Sequence, residues 1–128
     1  MPPKQQQRTS PVVWFEIPAL DLDRAVRFYE TIFDTALKRL TMDSGELAAF
    51  PFPPPGVGGC VIKSGQLKPG AGTMIYLNAG PSLNTVRDRV EAAGGKVLMP
   101  NLTLPNDMGV FTWILDTEGN TVGLHALA

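Results

Sequence analysis

Two stretches of this chain carry helical periodicity, and each is preceded by one strand-like run and followed by three. That order, met twice, is what most narrows the folds open to it. In ALDLDRAVRFYETIFDTAL, Leu22, Ala25, Val26, Tyr29, Ile32 and Phe33 recur at helical spacing. Asp21 stands where a side-chain oxygen accepts from the first free backbone amides. In PSLNTVRDRVEAAGG, Leu83, Val86, Val90 and Ala93 fall on one face, with Ser82 as candidate N-cap and Gly94 and Gly95 where a left-handed cap stops a helix. The strand-like runs are 12–17, 36–41, 46–52 and 59–63 in the first half and 73–78, 96–104, 110–115 and 121–126 in the second. The turns agree: DSG at 43–45, PNDMG at 105–109 and DTEGN at 116–120, the last suiting a hairpin with Gly119 at positive φ. PFPPPGVGG, at 51–59, replaces the corresponding turn of the first half with a stiff loop. The expected fold is α+β, with two βαβββ modules at 12–65 and 71–127 in a single domain over 11–128. The sheet faces left bare by the helices then meet or enclose a concave space, the natural place for a ligand.

Composition excludes several classes. A chain of 128 residues, 44% hydrophobic and 18% charged, has enough apolar surface for one proper core. Its net charge of −1 leaves no basic footprint for nucleic acid or an anionic membrane, and no run of about eighteen apolar residues offers a membrane span. The single cysteine, Cys60, forms no internal disulfide and supplies no thiolate cluster, which suits a cytoplasmic protein. Residues 1–10, MPPKQQQRTS, are too polar to repay the cost of ordering and are expected to be a loose arm.

The first run, VVWFEIP, raises the functional question. Strand alternation puts Val13, Phe15 and Ile17 on one face and Trp14 with Glu16 on the other, so a carboxylate shares a surface with an indole. Glu16 has three readings: a solvated or ion-paired strand residue, a polar contact for a ligand, or a general base. His125, the lone histidine, is either a bland hydrogen-bonded imidazole or a catalytic partner, and inward-pointing Glu16 and His125 would make an acid and base pair. Trp14, Phe50, Tyr76 and Trp113 belong either to sheet core or to a ring-lined pocket, with Met74 widening such a pocket's tolerance. Cys60 reads as a small buried hydrophobe, and GVGG and PGAG as turns, since neither has the lysine or the strand-to-helix placement of a phosphate loop.

Three segments, FEIPALDLDRAVRFYETIF, AGPSLNTVRDRVEAAGGKV and FTWILDTEGNTVGL, resemble the vicinal oxygen chelate superfamily, which includes glyoxalase I, fosfomycin and bleomycin resistance proteins and extradiol dioxygenases. The resemblance spans residues 12–127 and implies paired βαβββ modules around a U-shaped cleft, usually in a homodimer. Metal-using members hold a divalent ion with side chains on four strands. The resemblance puts the first of those positions on Trp14, the third near Met74 or Thr73 and the last on Gly123, while the fourth strand of module one offers Cys60 or Val61. A hard cation needs converging oxygen or nitrogen donors, so a metal-independent site is expected. Glu16 and His125, each two residues along from a missing ligand, are too few to hold an ion unaided. The expected function is that of a glyoxalase-related small-molecule protein, as a metal-independent lyase or isomerase with Glu16 and His125 as chemical groups. The alternative is a non-catalytic binder of the bleomycin-resistance type.

Overall fold

A computed structural model describes residues 14–42, 45–52, 56–63 and 68–128. The first half runs β1 (Trp14–Pro18), α1 (Leu22–Phe33), β2 (Lys38–Met42), β3 (Gly45–Ala49) and β4 (Gly58–Lys63). The second runs β5 (Tyr76–Asn78), α2 (Leu83–Arg87), β6 (Lys96–Val97), β7 (Leu102–Thr103), β8 (Val110–Leu115) and β9 (Thr121–Ala126). Sheet A has the order β1-β4-β3-β2 and sheet B the order β5-β9-β8-β6, with β7 also on β8. β1 pairs in parallel with β4, and β5 with β9. A parallel pair needs a crossover, and the helices lie on those crossovers. The expected arm at 1–10, the head of the first run at 12–13, the turn at 43–44 and Pro53–Pro55 lie outside the described residues.

α1 starts where its sequence predicts. Asp21 has extended backbone and its carboxylate accepts from the Arg24 amide at 3.0 Å. The face carrying Leu22, Ala25, Val26, Phe28, Tyr29 and Ile32 is buried.

Three elements differ from their sequence reading. α2 keeps only Leu83–Arg87 as α-helix, and Ser82 makes no side-chain cap bond. Beyond it the chain tightens into i→i+3 contacts, Arg89 N–H to Val86 O and Val90 N–H to Arg87 O, before Gly94 turns it at φ 101°. The run 96–104 divides into β6 and β7, because Pro100 has no N–H to give a ladder. β8 compensates with a side chain, Thr112 Oγ1 donating to Met99 O at 2.8 Å. β5 covers only Tyr76–Asn78, and Thr73–Ile75 precede it as irregular chain whose Ile75 carbonyl accepts from Gly123 N–H at 2.8 Å.

The two modules share one core. Ile17, Val26, Phe28, Tyr29 and Ile32 from the first pack in the same apolar cluster as Leu77, Leu83, Val90, Ile114 and Leu124 from the second. α1 packs on β3 and β4, α2 on β9, and the helices touch each other. The helical faces of both sheets therefore look into a common interior; on the other face of sheet A, Leu47, Cys60 and Ile62 form a second, smaller buried cluster, while on that of sheet B Tyr76 and Trp113 are exposed.

The DTEGN turn between β8 and β9 binds the modules together with polar contacts. Glu118 Oε1 accepts from the Leu20 and Asp21 amides, each at 2.8 Å, and its two oxygens take Arg24 Nε at 2.7 Å and Nη2 at 3.0 Å. Asp116 accepts from the Tyr29 hydroxyl at 2.8 Å and from the Glu118 and Asn120 amides. Asn120 Nδ2 donates to Pro18 O at 2.8 Å, and its Oδ1 accepts from Gly70 N–H at 2.9 Å. A turn in module two thus holds the end of β1, the start of α1 and the connecting segment at once. Burial alone would raise the Glu118 carboxyl, but the Arg24 guanidinium, the Asp21 amide, Thr117 and the Leu20 amide outweigh it and bring it down to about 2. Burial pushes the Tyr29 phenol well up, and Asp116 beside it acts the same way.

Candidate functional site

β1 is an outer strand of sheet A and β5 an outer strand of sheet B. A groove of about 930 Å³ runs beside β1, lined by Trp14–Pro18 on one wall and by Lys68, Gly70–Ile75 and Asn120–Val122 on the other. Strand alternation delivers what the sequence predicts at its mouth: Ile17 is buried in the shared core while Trp14 and Glu16 are exposed on the open face. Met74 joins the same groove from the irregular segment before β5. Among the described residues Glu16 makes no salt bridge and no side-chain hydrogen bond. Lys68, which the sequence reading did not single out, also lines the groove. Nothing in its local sequence marks it, since only the docking of Gly70 on Asn120 draws that stretch beside β1.

The floor beside Glu16 is apolar and tight. Glu16 is the register partner of Cys60, which is fully buried, and Ala49 follows on the next strand. Burial pushes the Cys60 thiol up to about 12, with the Glu16 charge adding to the effect, so this cysteine is a packed hydrophobe and not a thiolate. Trp14 meets Phe52 edge to face at 6.2 Å, and the Phe52 ring covers Gly58.

A second hollow, of about 570 Å³, lies on the open face of sheet B and is lined by Tyr76, Asn78, Pro81, His125 and Leu127, among others. Gly123 sits between Tyr76 on β5 and Trp113 on β8. The Tyr76 ring lies over it, where a Cβ would collide. Trp113 Nε1–H donates to Tyr76 Oη at 2.8 Å, and Phe111 meets Tyr76 edge to face at 5.8 Å.

The candidate residues therefore divide. Trp14, Glu16 and Met74 come together in the groove; Tyr76 and His125 come together in the sheet B hollow. Glu16 and His125 do not pair within the chain, because β1 and β9 present them to different concavities, and the His125 ring is engaged instead with the Met108 carbonyl at 2.6 Å. Phe50 borders neither space: it packs on Phe15, Tyr29 and Phe33 beside the shared core, so its aromatic signal was one of packing. Trp113 is part of the aromatic wall of sheet B, half-exposed, and acts on Tyr76.

This geometry has relatives. A solved glyoxalase/bleomycin resistance protein from Albidiferax ferrireducens T118 superposes with a TM-score of 0.69 at 15% identity, over 91% of this chain and 98% of that one. The E144Q mutant of glyoxalase I from Zea mays superposes with a TM-score of 0.70 at 17% identity, over 93% of this chain and 47% of that one. At such identities these likenesses speak for the fold alone. In sequence, a glyoxylase-like domain-containing protein from Didymella fabae is 32% identical over 120 residues, 88% of each chain. The model of the Glyoxalase/Bleomycin resistance protein/Dioxygenase superfamily matches residues 12–124. With a match that takes in both modules and the turn that joins them, this chain belongs to that superfamily.

Proposed function

We propose that this chain is a small-molecule enzyme of the superfamily that works without the family's divalent ion, as a lyase or isomerase, with Glu16 as its base in the β1 groove. The observation that carries the reading is an exposed carboxylate set beside an indole and a thioether in a groove of small-molecule size. The residues at the resemblance's ligand positions do not fit a metal: Trp14 offers an indole, Cys60 a buried thiol, and the space in front of Gly123 is occupied by the Tyr76 ring. In the proposed step the Glu16 carboxylate takes the proton from a hydroxyl-bearing carbon next to a ligand carbonyl; the C–H electron pair becomes the C=C bond of an enediolate and the carbonyl π pair moves onto its oxygen, where the Lys68 ammonium offsets the charge. Glu16 then returns the proton to the former carbonyl carbon while the hydroxyl proton passes to the charged oxygen, so that the carbonyl is left on the first carbon. His125 lies in the other hollow and takes no part.

The exposed apolar side chains of the two sheets support a homodimer. Leu40 and Trp14 on sheet A and Tyr76, Leu102 and Trp113 on sheet B are large apolar groups facing outward, and a second copy would close a cleft over them. The single buried cysteine suits a cytoplasmic setting. Among the described residues no helix is long and apolar enough to cross a membrane.

A second reading rests on the same carboxylate, which has no partner among the described residues and stands beside an indole: a binder that sequesters a cationic drug or metabolite, with Glu16 balancing its charge. One set of experiments separates the two. Thiol adducts, aromatic metabolites and cationic drugs are screened by thermal shift with and without divalent ions, because a bound ligand raises apparent stability. The stabilising compound is then followed over time. Catalysis predicts that Glu16→Gln abolishes turnover with little loss of binding; sequestration predicts altered affinity and no compound consumed. A stoichiometric divalent metal in the purified protein, lost together with activity on chelation, would overturn the metal-free reading.

A further inference from the structure

The open face of sheet B carries a pair of side chains that the Glu16 groove does not use. Asn78 and His125 are register partners on the parallel strands β5 and β9, so they stand side by side, about 5 Å apart at the strand spacing. Both line the hollow of about 570 Å³, a volume suited to a small planar molecule. Each has one polar atom committed to backbone. Gly80 N–H points at Asn78 Oδ1 at 2.9 Å. A backbone N–H can meet only the oxygen of that amide, so Nδ2 is left as a donor. His125 Nε2 lies 2.6 Å from the Met108 carbonyl, which can only accept. Nε2 therefore carries the proton, and the lone pair of the neutral ring sits on Nδ1.

The loop that presents that carbonyl is shaped for the purpose. Asn106 and Asp107 both take left-handed backbone, and Gly109 follows at φ 102°. A Cβ on Gly109 would stand 2.9 Å from His125 Nε2 and collide with the Ala126 carbonyl. Tyr76 and Phe111 supply aromatic surface beside the pair, and the Trp113 indole N–H holds the Tyr76 phenol in place.

A donor beside an acceptor is the complement of an acceptor beside a donor. We propose that Asn78 and His125 form a preset recognition pair for the C=O and N–H edge of a planar carboxamide or lactam, held against the Tyr76 ring. Asn78 Nδ2 donates to the ligand carbonyl, and the ligand N–H donates to His125 Nδ1.

The chain has one histidine, so proton–nitrogen NMR correlation of the imidazole reports on His125 alone. The probes are nicotinamide and acetylpyridine, the methyl ketone that keeps the ring and carbonyl but has no amide N–H. The free protein is expected to show the Nε2–H tautomer. Nicotinamide is expected to shift the imidazole and the Asn78 side-chain amide, and to bind about tenfold more tightly than acetylpyridine, the worth of one neutral hydrogen bond. His125→Phe keeps a ring and removes the acceptor, so it should erase the preference; Asn78→Asp keeps the acceptor for Gly80 but removes the donor to the carbonyl that both probes carry, so it should weaken both, the backbone amide spectrum staying dispersed in each variant. Equal affinities, shifts confined to other residues, binding of neither probe, or an Nδ1–H tautomer in the free protein would each overturn the proposal. Glu16→Gln, in the other groove, should retain the nicotinamide preference, so failure here and failure of the Glu16 reading are told apart.

Discussion

Glu118 and Glu16 both stand where the two modules adjoin, yet their surroundings are opposite. Glu118 is 5% exposed, and its oxygens accept from the Leu20 and Asp21 amides, from Arg24 and from Thr117. Glu16 is exposed on the open side of β1, with an indole and a buried thiol as neighbours and water in front. A carboxylate whose lone pairs are all engaged by donors of its own chain has nothing left for a ligand. One that faces a groove without such donors is free to take a proton or a cation. The more distinctive segment of the sequence, DTEGN, is thus architecture, and the plainer acid in WFEIP is the candidate for chemistry.

The sharpest way to break this contrast is to remove the first carboxylate. Glu118→Ala frees Arg24, which is half in water and rehydrates, but leaves the part-buried amides of Leu20 and Asp21 without their acceptor. We expect a loss of about 3 kcal/mol in urea unfolding, since hydrogen bonds to a charged group are the costly kind to lose. The same contact sets a pH dependence. The Glu118 carboxyl titrates at about 2 in the folded chain against an ordinary 4.5, so on acidification the unfolded chain binds its proton first. Its stabilisation is full above about 4.5 and is lost as pH falls toward 2. Unfolding midpoints of the wild type should drop through that window, and those of Glu118→Gln should drop less.

A smaller effect is expected on sheet B. Gly123→Ala drives a methyl group into the Tyr76 ring, which is half-exposed and can swing outward, breaking its bond to Trp113. The cost should be about 1 kcal/mol, the low end of overpacking, and the fluorescence of the released indole should change with it. An unchanged spectrum would mean that the ring does not rest on Gly123 in solution.

These contacts mark how far the sequence can be read. Element order, the α1 cap at Asp21, and the boundaries of β8 and β9 follow from spacing and turn chemistry within a few residues of one another. The outward placement of Trp14 and Glu16 follows from alternation along a single strand. The separation of Glu16 from His125 could not be read in this way, because it depends on which faces of two sheets share a core, and that is decided by helix packing between modules. Phe50 was ambiguous for the same reason: a half-buried ring on a strand looks alike from sequence whether its neighbours are Tyr29 and Phe33 or a ligand. The covering of Gly123 by Tyr76 needed the register of β5 on β9, and β5 is too short to announce it. The DTEGN turn was read correctly as a turn, while its partners Tyr29, Arg24 and Pro18 lie in another module, beyond any local signal.

The smallest expected effect belongs to Glu16. Its side chain meets no donor among the described residues, and Gln has nearly the same shape, so Glu16→Gln should leave stability within about 0.5 kcal/mol of the wild type. That near-silence in unfolding is what gives the variant its value, because any loss of turnover then comes from the missing charge and not from a damaged fold. A stability change as large as that of Glu118→Ala would place Glu16 among the structural acids, erase the contrast between the two, and move the search for a base elsewhere in the molecule.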